Sequence, residues 1–133
     1  MNNVMTYIVD THAIVWFLEG DTRLSKAAYN ALSDINAQLV VPTMVLVEIT
    51  FLYAKHRITI SLAEVLTYIT SAENCVIYPL DETVVDHIPT SLDIHDAIIV
   101  ATALIFRDVL EENTAVITKD GKIGTSGLVN VIW

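Results

Sequence analysis

Tyr7-Ile8-Val9-Asp10-Thr11-His12-Ala13-Ile14-Val15-Trp16-Phe17-Leu18 decides how the chain is read. The apolar run Met5–Val9 has the length of a strand, and its unbroken apolar character suits a strand covered on both faces, as in a parallel sheet. Asp10-Thr11 then opens a segment over 12–19 with apolar residues at most positions, closed by Gly20, which predicts a helix. Asp10 therefore stands at the carboxyl end of the first strand, where open α/β sheets bind their ligands. Aspartate is also a good N-cap for the helix that follows, so the position alone leaves both roles open.

The same alternation continues outward. Ser25 predicts a helix running to about residue 36, followed by a buried strand at Leu39-Val40-Val41 with Pro42 as its stop. Thr43 predicts the cap of a helix to about residue 56. Ser61, with Glu64 three residues on, carries a capping-box signature for a helix to about residue 72. Cys75–Tyr78 reads as a third strand. A short helix near 82–87, a long apolar helix over 96–107, a strand over 115–118 and a last strand near 129–132 complete the chain. Strands alternating with helices predict an α/β fold with a mostly parallel sheet, in a single domain over 1–133.

Composition narrows the function. The 133 residues are 53% hydrophobic and only 17% charged, which excludes disorder. The lone Cys75 has no partner for an intrachain disulfide or a cysteine-based zinc site. The start, Met1-Asn2-Asn3-Val4-Met5-Thr6, lacks the basic residues and cleavage site of a signal peptide. The apolar run over 97–106, bracketed by Asp96 and Arg107, falls short of the ~20 residues of a membrane helix. A cytoplasmic protein that does not enter the membrane is expected. A mean hydropathy of +0.54 is high for so small a domain and predicts a homodimer or a tight partner. Sixteen acids against seven Lys and Arg leave a net charge of −9, too acidic for direct phosphate binding over a broad surface. Acids that converge on divalent cations reverse the local sign, so their placement matters more than their sum.

Four acids stand where such convergence is expected. Asp10 ends the first strand. Asp120 ends Val116-Ile117-Thr118-Lys119-Asp120, although Asp120-Gly121 is also a common turn dipeptide. Asp96 opens the most apolar helix, with Asp93 three residues earlier in the position of an N-cap. Glu48 lies inside Met44-Val45-Leu46-Val47-Glu48-Ile49-Thr50-Phe51-Leu52, where an ionised carboxylate is costly unless paired or metal-bound, and Lys55 is two turns away. Together the four form a hard-oxygen donor set suited to Mg²⁺ or Mn²⁺. The histidines, His12, His56, His87 and His95, lack zinc-motif spacing and read as solvated or capping residues.

These stretches resemble the PIN-domain family and, within it, the VapC-type toxins of prokaryotic toxin–antitoxin pairs. The resemblance begins in 7–18 and continues through Pro42-Thr43-Met44-Val45-Leu46-Val47-Glu48-Ile49. It extends to Asp93-Ile94-His95-Asp96-Ala97-Ile98-Ile99-Val100-Ala101-Thr102-Ala103, Val116-Ile117-Thr118-Lys119-Asp120 and the closing Val129-Asn130-Val131-Ile132-Trp133. It implies a PIN-like three-layer α/β/α sandwich. The implied activity is that of a Mg²⁺- or Mn²⁺-dependent endoribonuclease acting on RNA, a toxin dimer silenced by a VapB-like antitoxin. Carried over by position, Asp10, Glu48, Asp96 and Asp120 are the catalytic and metal-binding quartet, with Asp93 as an accessory acid and Thr11 and Thr118 orienting ligands or water. Asp93-Ile94-His95-Asp96-Ala97 departs from the Asp-Pro-x-Asp-Arg common in such toxins and lacks its basic residue.

Two rivals compete. A receiver-like phosphoacceptor domain would need an acid after a central strand, where Pro42 and Pro79 stand instead. A catalytically inactive PIN-fold protein-binding module would keep clustered carboxylates whose mutual repulsion no cation relieves.

Overall fold

The computed structural model describes residues 4–133, so Met1-Asn2-Asn3, part of the start read for a leader, lies outside it. Among these residues five strands, β1 (Met5–Val9), β2 (Gln38–Pro42), β3 (Cys75–Tyr78), β4 (Asn113–Ile117) and β5 (Val131–Ile132), form a parallel sheet in the order β3-β2-β1-β4-β5. The helices α1 (Thr11–Glu19) and α2 (Lys26–Leu32) connect β1 to β2, and α3 (Thr43–Ala54) and α4 (Leu62–Ser71) connect β2 to β3. The return from β3 to β4 runs through α5 (Glu82–Asp86) and α6 (Ile94–Leu104), extended by a π-helical turn at Ile105–Val109. A short α7 (Gly121–Ser126) precedes β5.

Strand order explains the layers. From β1 the chain steps outward to β2 and β3, then crosses back over β1 to β4 and β5. With right-handed crossovers, the rule for parallel strands, those opposite directions of travel put α1–α4 on one face and α5–α7 on the other. Contacts of α1 with α2 and α3, and of α6 with α5 and α7, follow that division. The expected α/β/α sandwich is the observed fold.

The apolar runs form the strands because both faces are covered: Ile8, Val40, Val41, Val116 and Ile117 have no measurable exposure. In α6 every residue from Ala97 to Ala103 is buried. Its one hydroxyl there, Thr102, donates back to the Ile98 carbonyl at 2.9 Å, so no polar group is orphaned. Cys75 is buried as expected, and burial pushes its thiol up to about 11, which keeps it protonated and unreactive. No helix among the described residues is long and apolar enough to cross a membrane.

Several boundaries differ from the sequence expectation. The helix expected to reach residue 36 stops at Leu32, because Asp34 accepts the Asn36 N–H in a turn. The Asn74 side chain fixes that turn by donating to the Asp34 and Ala37 carbonyls. Thr43 does not cap α3; Pro42 holds the cap position without a side-chain bond. The Thr43 hydroxyl instead donates to the Tyr78 carbonyl and accepts the Leu80 N–H, tying the start of α3 to the end of β3. The last strand is shortened to Val131–Ile132. Residues 121–126, read as following a turn, form α7, with Asp120 accepting the Lys122 N–H at 2.8 Å. The capping box of Ser61 and Glu64 is present as expected.

Gly20 ends α1 with a φ of +68°, and a Cβ built there meets nothing within 4 Å. Gly20→Ala therefore introduces backbone strain alone, and should cost about 1 kcal/mol. Urea denaturation should show a lower midpoint at unchanged slope; an unchanged midpoint would contradict the left-handed cap.

Candidate active site

The pairing of β1 with β4 aligns Val9 with Ile117, and the Asp10 N–H continues the ladder to the Ile117 carbonyl at 3.1 Å. The next residues along each strand, Asp10 and Thr118, then lie side by side. Thr118 is buried and its hydroxyl donates to Asp10 Oδ2 at 2.6 Å, while accepting the Asp120 N–H at 3.0 Å. Asp10 Oδ1 accepts the Thr11 N–H at 2.7 Å as the N-cap of α1. Capping and facing the pocket thus prove compatible for one carboxylate. Burial is the main influence on Asp10 and raises its pKa; Asp120 repels it in the same sense, against the hydrogen bonds from Thr118 and Thr11 and the nearby His12.

This is the topological switch point of the sheet, where connections from β1 and β4 leave toward opposite faces and open a crevice. A pocket of about 270 Å³ occupies it, lined by Asp10, Thr11, His12, Glu48, Asp93, Ile94, His95, Asp96, Asp120 and Lys122. All four acids singled out from the sequence, with Asp93 and Thr11, share it. A larger hollow of about 500 Å³ lies at the opposite, amino end of the strands, where Glu112 already accepts the Thr6 hydroxyl.

Glu48 faces this pocket from α3, whose buried side is formed by Val45 and Ile49. Its Oε1 accepts the Thr11 hydroxyl at 3.0 Å and its Oε2 lies 3.6 Å from His95 Nδ1. The carboxylate that looked stranded in an apolar helix is therefore partly exposed, by about a quarter, and held by a neighbouring helix. Asp96 sits in the first turn of α6. Burial first, then a hydrogen bond with Asp120 and the charges of Asp120, Asp10 and Asp93, push its carboxyl up to about 6. Asp93 occupies the N-cap position of α6 without making a cap bond; it is exposed and pairs with Lys122 Nζ at 3.4 Å.

Among the described residues no three His, Cys, Asp or Glu side chains converge as an enclosing metal cage. The donor chemistry nonetheless fits Mg²⁺ or Mn²⁺, which bind hard oxygens; Mg²⁺ keeps several waters and needs only one or two carboxylates. Asp96 and Asp120, close enough to share a proton, are such a pair. Asp10 and Glu48 line the same pocket, each steadied by a threonine hydroxyl.

His12, His95 and Lys122 were not expected here. His12 and Lys122 each stand two residues after a site acid, a spacing that marks them only once the first turns of α1 and α7 are known to face one crevice. Lys122 places a positive charge beside a motif that lacks the customary arginine.

The family model of the PIN domain matches residues 7–124. No curated protein matches the chain. Among solved structures, a chain from the Rickettsia felis VapBC2 complex, bound to a DNA fragment from its promoter, superposes with a TM-score of 0.64 at 14% identity, covering 96% of this chain and 97% of that one. A chain from a Klebsiella pneumoniae toxin–antitoxin complex superposes with a TM-score of 0.64 at 20% identity, covering 96% of each.

Because the folded-state pKa of Asp96 is raised from 3.8 to about 6, the native state binds more protons than the unfolded chain between those values. Stability attributable to Asp96 is then present below pH 4 and falls as pH rises to about 6. In chelator, the difference in melting temperature between Asp96→Asn and wild type should shift in the variant's favour across pH 4–6.5. A pH-independent difference would contradict the shift.

Proposed function

The chain belongs to the PIN-domain family, a family of nucleases, and on that premise we propose that it is a metal-dependent endoribonuclease hydrolysing RNA phosphodiester bonds. The observation that carries this reading is the meeting of Asp10, Glu48, Asp96 and Asp120 in one pocket at the switch point. We take residues 1–133 as one PIN-like domain and the four acids as its catalytic and metal-binding set.

When bound by these acids, Mg²⁺ or Mn²⁺ supplies charge neutralisation for the phosphodiester and acidifies a water for attack. The chain's own residues do the rest. Thr118 and the Thr11 N–H hold both oxygens of Asp10, fixing its rotamer before any ligand arrives. The Thr11 hydroxyl holds Glu48, so one residue couples two acids through its backbone and its side chain. Asp96, whose carboxyl burial and the neighbouring acids push up to about 6 in the absence of a cation, is the acid whose ionised form a bound cation would favour strongly. Lys122 at the rim offers an ammonium group to a phosphate oxygen, for which it must leave Asp93.

The two solved complexes support a toxin held by a VapB-like antitoxin as the setting for this activity. The surface supports a protein partner as well. Helix α3 is apolar around most of its circumference, yet Val47, Phe51 and Tyr53 on it are exposed. An apolar groove of about 430 Å³, lined by Leu80, Val85, Ile88, Leu92, Ile94 and Ile98 among others, meets the acid pocket at Ile94. An antitoxin lying in that groove can extend a basic side chain among the acids. The exposed face of α3 suits a second copy in a homodimer.

Calorimetric titration of Mn²⁺ into antitoxin-free protein should show saturable binding that Asp96→Asn weakens at least about tenfold. Cleavage of RNA should stop in chelator and fall on the order of 100-fold or more in Glu48→Gln. Absence of metal binding by the wild type would leave the inactive protein-binding module as the better reading.

A further inference from the structure

In a chain with so few cations, two gather on one buried ring. Trp16, only 6% exposed, lies on α1 one turn beyond His12, which lines the acid pocket. The Lys119 ammonium sits 5.3 Å from its ring centroid, the Arg23 guanidinium 4.6 Å, and the His12 ring 5.2 Å. Trp133 packs against the same indole at 5.9 Å. Cation–π attraction over a fixed indole limits the wandering of a lysine that would otherwise be free to sample many rotamers. Arg23 is engaged by Asp21 through two side-chain hydrogen bonds, so its charge is already answered. Lys119 is exposed, and so is His12.

These two line a hollow of about 300 Å³ with Asp10, Ala13 and Asp120. Asp10, His12 and Asp120 also line the acid pocket, so the two depressions share a wall. A nucleic-acid backbone lying in one therefore runs on into the other. The Trp16 ring is too buried to stack a base, which leaves its cations, held at the surface, as the recognising groups. The carboxylates of Asp10 and Asp120 repel an anion in this hollow, so phosphate binding here strengthens once divalent cations neutralise them.

We propose that Lys119 and His12, braced on Trp16, form a positioning subsite for an RNA phosphate adjacent to the scissile one. The inference rests on the nuclease reading for its substrate class. Lys119 is the charged contact and His12 a hydrogen-bonding contact at the shared wall. With one cation committed to one phosphate, the subsite sets the direction of the strand across the acids rather than supplying broad affinity.

The test is fluorescence anisotropy of a single-stranded RNA oligonucleotide in Ca²⁺ at several salt concentrations. Wild type is compared with Lys119→Gln, Lys119→Arg and, as a distant control, Lys55→Gln. Lys119→Gln should weaken binding about fivefold and reduce the salt slope by about 0.7, one single-strand phosphate contact. Lys119→Arg should restore most of the binding, and Lys55→Gln should resemble wild type. Mn²⁺ titration of the same variants reads the acid site separately. RNA binding that depends on Lys119 without any Mn²⁺ binding would sustain the subsite and sink the nuclease reading. Equal RNA binding by wild type and Lys119→Gln would overturn the subsite, as would Mn²⁺ binding without RNA binding. A loss confined to an acidic peptide offered in place of RNA would overturn it too, in favour of a protein contact.

Discussion

The parallel alignment of β1 with β4 places Val9 opposite Ile117 and, one residue further, the Asp10 carboxylate beside the Thr118 hydroxyl. A slip of one residue would turn Asp10 toward the other face of the sheet and take its carboxylate away from the Thr118 hydroxyl. The apolar faces of Ile8 and Val116, both without exposure, make that slip costly. The core therefore fixes the site's geometry, although none of the site residues belongs to the core except the two buried threonines, Thr11 and Thr118.

Like charges gathered at one crevice oppose folding, and the fold offsets this in two ways. Asp10 and Asp96 lie at the amino ends of α1 and α6, where the helix dipole favours negative charge by about 0.3–1 kcal/mol each. Hydrogen bonds from Thr11 and Thr118 add support at Asp10. Asp96 has no such hydroxyl, and its proton, like that of Asp10, is retained to higher pH. The remaining strain falls on Asp10 and Asp96, both of which burial and neighbouring acids push up, and both stand to gain from a cation. That distribution links stability to function: the residues that cost the fold most are those a ligand relieves most.

Much of this was legible in the sequence because strands covered on both faces write themselves as unbroken apolar runs. The positions of Asp10 and Asp120 after such runs, and of Glu48 in Met44–Leu52 of the chain, were enough to select the acids. What escaped depended on contacts across the sheet. The turn at 33–37 is fixed by Asn74, forty residues from Asp34 in sequence. Thr43 was read as a local cap, whereas a partner 35 residues away takes its hydroxyl. Residues 121–126 contain two glycines and make a weak helix by propensity, so α7 rests on the Asp120 cap and on buried Ile123. His12, His95 and Lys122 carry no signal of their own, being polar residues on helix starts whose common direction is a property of the topology.

The bond between Thr118 and Asp10 joins residues 108 positions apart. During synthesis Asp10 emerges well before the hydroxyl that holds it, so β1 lacks one of its two neighbours until β4 has been made. Contacts of such wide separation also form slowly. The acid pocket is consequently incomplete until β4 docks beside β1 and brings Asp120 to Asp10. Any ligand of the pocket therefore meets it only after β4 has joined the sheet, an order set by topology rather than by affinity.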